Sequence, residues 1–139
     1  MQLTSQGNLG LFSVAETSIN DLPMGVLSDG TPYLTIRGLT KICGAEHSSI
    51  LNLVQNWHQE KFQPRGQKIL ELLRAQNYLS ENLFISANSI HGDFIAIPDA
   101  VCMAILEYYA FDADSINKEV ALTNYRILAR SSFKLYVYT

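Results

Sequence analysis

The chain has 139 residues, 47% of them hydrophobic and 17% charged. That length suits one domain able to bury most of its apolar surface, and the composition excludes intrinsic disorder. A net charge of −3 excludes a generic nucleic-acid coat, which would be basic because nucleic-acid affinity rests largely on neutralised phosphates.

No apolar run approaches the roughly 20 residues that span a bilayer, and residues 1–10 show no basic segment leading into an apolar one. A cytoplasmic protein without membrane contact is expected. Cys43 and Cys102 lie far apart inside apolar patterns and read as buried free thiols of a reducing compartment. The charge is unevenly placed. Residues 1–36 carry acids only, and residues 75–139 carry seven acids against four bases. Residues 37–74 carry six bases against three acids, so an anion-binding face has to come from the middle.

In chain order, residues 1–23 are rich in Ser, Thr, Asn and Gln and read as a loosely held N-terminal arm with a short strand at 9–14. Residues 24–139 read as the domain proper. Residues 24–35 predict a hairpin, since Asp29-Gly30 supplies tight-turn chemistry between apolar flanks. Thr35 is placed to cap a helix over 36–43, which Gly44 stops. Ser48 is placed to cap a second helix over 49–57, with Ile50, Leu53, Val54 and Trp57 at helical spacing. Residues 58–66 contain Pro64-Arg65-Gly66 and read as a loop. A third helix is expected over 67–76, with Ile69, Leu70, Leu72 and Leu73 as its stripe.

Short strands at 83–86 and 94–97, joined through His91-Gly92-Asp93, predict a second hairpin. Pro98 followed by Asp99 opens a largely apolar fourth helix over 98–109, expected at the centre of the core. Asp114-Ser115 is placed to cap a last helix over 116–136. Its end, Tyr136-Val137-Tyr138-Thr139, carries no stop signal and reads as a strand-like tail or as a cut from a longer chain. The fold class is therefore α+β and mostly helical, five helices in a helix-turn-helix core with two small β-hairpins.

Gly44 can be the turn glycine of a helix-turn-helix spanning 36–57. That motif needs apolar residues five and one before the glycine and one, six and nine after it. Leu39, Cys43, Ala45, Ile50 and Leu53 occupy those positions. Thr40 stands where close packing favours Ala. The second helix would then expose His47, Ser48, Ser49, Asn52, Gln55 and Asn56, whose hydroxyl and amide groups suit base edges. Arg37, Lys41, Lys61, Arg65 and Lys68 flank the motif and are placed to reach phosphates. Two amphipathic helices in an ordinary helical core, with a solvated charged face, give the same pattern.

Residues 25–44, with Asp29-Gly30 at a hairpin tip and Ile42-Cys43-Gly44 closing a short helix, resemble the Bro-N-like N-terminal domain of phage antirepressors and baculovirus repeated-gene proteins. Glu46-His47-Ser48-Ser49-Ile50 resembles the equivalent segment of Rha-type phage regulators. The stretch from Asn124-Tyr125-Arg126 to Ser132-Phe133-Lys134 resembles the basic and aromatic helix near the end of that domain. The likeness covers about residues 25–57 and 94–136. It implies a phage or prophage regulator that binds double-stranded DNA, or a repressor or host protein, or both.

Enzyme chemistry finds less support. Cys43, His47 and His58 are too irregularly spaced for a common zinc site. Gly66-Gln67-Lys68 lacks the upstream glycine and the Ser or Thr of a phosphate loop. Tyr108-Tyr109 is expected to pack a core or a dimer face. No catalytic residue, cofactor or metal is expected. Phe133, Leu135, Tyr136 and Tyr138 crowd the end of the last helix and are expected to form an interface, a homodimer being the simplest way to cover it.

Overall fold

In the computed structural model, residues 13–19, 22–90, 92–114 and 117–138 are described, with side chains from residue 25 to residue 130. The order is β1 (Ser13–Ile19), β2 (Leu22–Leu27), β3 (Pro32–Leu34), α1 (Ile36–Cys43), α2 (His47–Gln55), α3 (Trp57–Glu60), α4 (Pro64–Ala75), β4 (Ile85–Ser89), β5 (Gly92–Pro98), α5 (Asp99–Glu107), a π-turn (Tyr108–Asp112) and α6 (Lys118–Tyr138). The fold is α+β and mostly helical.

Both expected hairpins form, and they are not separate. Tyr33 pairs with Pro98 and Leu34 with Ile97, which joins them into one antiparallel sheet of order β1-β2-β3-β5-β4. In the first hairpin, Gly30 takes φ 90° and Asp29 Oδ1 accepts from the Thr31 amide at 3.0 Å. Residues 13–19, expected inside a loose arm, pair with β2 along its length, as Val14, Thr17 and Ile19 favour on a pleated surface. Residues 1–12 lie outside the described residues.

Alternation along the strands splits the core. Leu34 and Ile97 face the helices and join a large cluster with Leu39, Ile42, Ile50, Leu53, Ile69 and Ile105. Tyr33, Ala87 and Ala96 face the other way and, with Leu27, form a small cluster in the curl of the sheet. The edge strands β1 and β4 approach one another around it. Helix α5 is buried on most sides, through Val101, Cys102, Ala104, Ile105 and Leu106, and holds the expected central place. It lies with α1 between the sheet and α6. Cys43 and Cys102 are buried, and burial pushes both thiols far above their ordinary range.

Several element boundaries depart from the sequence expectation. In the second hairpin β4 runs over Ile85–Ser89 instead of 83–86, and Gly92 and Asp93 stand in β5 and not in the turn. Residues 58–66 are no loop: α3 occupies Trp57–Glu60 and α4 begins at Pro64. Proline there needs no hydrogen-bond partner for a first-turn amide, and its fixed φ starts the helix. A Cβ on Gly66 would run into the Glu60 carbonyl, so only glycine lets α4 settle this closely onto the end of α3. Pro98 closes β5 instead of opening the helix, and α5 starts at Asp99. The fourth helix also ends in a π-turn, closed by the Ala113 amide on the Tyr108 carbonyl at 2.9 Å. Helix α6 begins at Lys118, and Ser115 and Ile116 of its expected start lie outside the described residues.

Candidate nucleic-acid interface

Local chemistry builds the first half of the site. Thr35 caps α1 as expected, its Oγ1 accepting from the Gly38 amide at 3.1 Å. The helix ends where Gly44 turns left-handed, at φ 62° and ψ 29°. The Gly44 amide donates to the Lys41 carbonyl and the Ala45 amide to the Thr40 carbonyl, each at 3.3 Å, which satisfies two otherwise open carbonyls. The start of α6, with the residue that precedes it, closes the same end from outside. Asn117 Nδ2 donates to the Gly44 carbonyl at 3.2 Å and Asn124 Nδ2 to the Ile42 carbonyl at 3.0 Å.

Leu39, Cys43, Ile50 and Leu53 are buried and Ala45 packs against them, so the five motif positions share one core. The Thr40 hydroxyl is buried there without a partner. Ser48 is not the cap of the second helix. Glu46 holds that position with extended backbone, and its carbonyl accepts from the Ser49 and Ile50 amides. The turn at Gly44 and Ala45 delivers the chain into the helix before Ser48 is reached, so tertiary geometry overrides the local preference of serine. The helix also ends early. Asn56 leaves helical geometry at φ −107° and ψ 31°, and Trp57 is buried as the first residue of α3.

Helix α2 points Ile50, Leu53 and Val54 inward. The expected reading residues divide into two flanks around the rest of its surface. On one flank they are engaged within the chain: Ser49 Oγ accepts from Arg65 Nη1 at 2.8 Å, and Asn52 Nδ2 donates to Glu60 Oε2 at 3.4 Å. Asn56 Nδ2 donates to Asn52 Oδ1. On the other flank His47, Ser48 and Gln55 are exposed. At about 100° per residue, Ser48 and Gln55 fall two turns apart on the same line.

The cations divide as well. Arg65 pairs with Glu60 at 2.7 Å, and its side chain is 22% exposed. Burial works against its charge, but hydrogen bonding and charge from Glu60, with a further contribution from Tyr109, hold the guanidinium pKa above its ordinary value. Lys68 lies 3.5 Å from Glu71 and 3.9 Å from Asp112. Lys61 sits over the ring of Phe62, 5.5 Å from its centroid. Arg37 and Lys41 stand one turn apart on the exposed side of α1. Phe133, Leu135, Tyr136 and Tyr138 fall in the last part of α6, where side chains lie outside the described residues.

Two members of the cluster, Tyr109 and Glu60, were not among the site residues expected from the sequence. Tyr109, 7% exposed within the π-turn, brings its hydroxyl to 3.3 Å from both Ser49 Oγ and Arg65 Nη1. Glu60 joins α3 to α4 through Arg65 and to α2 through Asn52. An acid and an arginine five apart across a proline gave a hint of that pair; nothing local announces Tyr109, which is brought in from 60 residues beyond Ser49. A cavity of about 420 Å³ opens beside the cluster, bounded by Gly44, Glu46, Arg65, Tyr108 and Asp114. Ser49 is hydrogen-bonded to a guanidinium and a phenol, neither of which takes up its proton near neutral pH, so these partners do not activate it as a nucleophile. No family model, no curated protein and no solved structure matches the chain.

Proposed function

We propose that the chain is a cytoplasmic DNA-binding regulator of phage or prophage type that presents α2 to the major groove, with α1 against the phosphate backbone. The observation that carries this reading is the left-handed turn at Gly44. Around it the five motif positions pack together, while His47, Ser48 and Gln55 remain exposed on the facing helix. The resemblance of residues 25–57 to phage antirepressor and Rha-type domains points the same way. A homodimer, paired through the end of α6, would set two such helices about one DNA turn apart.

Arg65 and Lys68 lie beside carboxylates, which reduces what the five flanking cations can offer to phosphates. That same shortage, with the net charge of −3, favours a second reading in which the domain works as an antirepressor through a repressor or host protein without touching DNA. Salt dependence separates the two. Each neutralised phosphate contributes about −0.9 to the slope of log affinity against log salt, so the measured slope counts the phosphates that a protomer contacts. Fluorescence anisotropy on labelled duplex DNA, from low to physiological salt, measures it. Absence of binding at low salt rejects the DNA reading and leaves the protein partner.

A further inference from the structure

We infer that Arg65 is a positioning residue for α2 and not a phosphate contact. This rests on the DNA reading of α2 for its consequence, but its geometry is independent of any ligand. Arg65 is the N2 residue of α4, yet its guanidinium meets three other parts of the chain. Nε and Nη2 donate to Glu60 Oε1 at 3.2 and 2.7 Å, and Nη1 donates to Ser49 Oγ at 2.8 Å and Tyr109 Oη at 3.3 Å. Four of the five N–H donors of an arginine are thereby used. Turning the group towards a phosphate would leave a half-buried carboxylate unpaired.

The anchors of this network are fixed. Tyr109 is buried in the main core, with its ring edge-on to Tyr108 at 5.3 Å between centroids. Glu60 is held against α4 because Gly66 lets the two backbones touch. From these anchors three bonds reach α2, two at Ser49, from Arg65 Nη1 and the Tyr109 hydroxyl, and one at Asn52 through Glu60. Ser49 and Asn52 are three residues apart, neighbours along a single flank of the helix. Two attachments on one flank set the rotation of α2 about its own axis. That rotation decides where His47, Ser48 and Gln55 point.

The fork of arginine does this and a lysine cannot, because one ammonium does not bridge a carboxylate, a serine and a tyrosine in a plane. The test compares Arg65→Lys, Arg65→Met and Tyr109→Phe by anisotropy on duplex DNA across a salt series. Amide hydrogen exchange of α2 is measured without DNA, and circular dichroism confirms folding. Arg65→Lys and Arg65→Met are expected to weaken binding alike, with the salt slope of the unaltered protein. Tyr109→Phe, which removes one hydroxyl, is expected to weaken binding less, again without a change in slope. All three are expected to speed exchange in α2 more than in α1.

Arg65→Lys binding like the unaltered protein, together with a slope shallower by about 0.9 in Arg65→Met, would identify a phosphate contact and overturn the inference. Should the unaltered protein bind no duplex at all, the DNA reading fails by itself. The exchange measurement then decides alone, and unchanged protection of α2 in Arg65→Lys and Tyr109→Phe rejects the positioning role.

Discussion

The two hydrophobic clusters of this domain are closed in different ways. The cluster between the helices and the sheet interlocks large side chains from six helices, two strands and the π-turn, with Leu39, Ile42, Ile50, Leu53, Ile69 and Ile105 wholly buried. The cluster in the curl of the sheet buries four residues, two of them alanines. There each small residue faces a large one across the strands, Ala87 opposite Phe94 and Ala96 opposite Ile85. The helical cluster is fixed by contacts converging from every side. The sheet cluster is smaller and is bounded by two edge strands, so the sheet is expected to be the part of the fold that loosens first.

The largest test of that contrast is a pair of truncations. Leu53→Ala should cost roughly 4 kcal/mol, because its surroundings cannot collapse into the space, and Leu27→Ala roughly 2 kcal/mol, because the curled strands can. Urea unfolding of the two variants gives the order, and the reverse order would mean that the sheet cluster is the more tightly packed. Next comes the turn. Gly44→Val should cost about 1–3 kcal/mol, since a Cβ there would have to hold a left-handed backbone while meeting Val120 Cβ at 2.9 Å and the Asn117 carbonyl oxygen at 3.1 Å. An unchanged melting temperature would remove the geometry on which the helix-turn-helix rests. The smallest effect has the opposite sign. Thr40→Val keeps the shape of the side chain and removes a buried hydroxyl with no partner, so it should stabilise by up to about 1 kcal/mol in the same unfolding assay.

What the sequence made legible was whatever a few neighbouring residues decide among themselves. Thr35 caps α1 because the Gly38 amide that donates to its hydroxyl lies three residues on, and Gly44 ends it because only a left-handed residue fits there. Asp29-Gly30 makes its hairpin for the same kind of reason. Ile50 and Leu53 declare their burial through helical spacing. The expectation failed where a distant element set the outcome. Ser48 lost its capping place to the turn before it, and Pro64 started a helix because Gly66 could rest on Glu60. The two hairpins became one sheet through the pairing of β3 with β5, which no local pattern states.

The candidate site divides in the same manner. Residue type and helical spacing picked out the polar surface of α2, yet half of the residues named there, the exposed Asn52 and Asn56 and the half-buried Ser49, are hydrogen-bonded within the chain. Ser49, Asn52 and Asn56 have the same chemistry as Ser48 and Gln55. Only the arrival of Glu60, Arg65 and Tyr109 on one flank tells them apart. That Lys68 also stands near Asp112, and Arg65 beside Tyr109, is set by the fold and is not shown by a linear sequence.

Asn117, the residue before α6, and Asn124 within it close the end of α1 and set a rule about length. Asn117 and Asn124 are seven residues apart, close to two full helical turns, and their amides serve the Gly44 and Ile42 carbonyls together. One residue added or removed between them would swing one amide about 100° away from the other, and a single carbonyl could then be served at most. The spacing acts as a ruler with two marks, read against the end of α1.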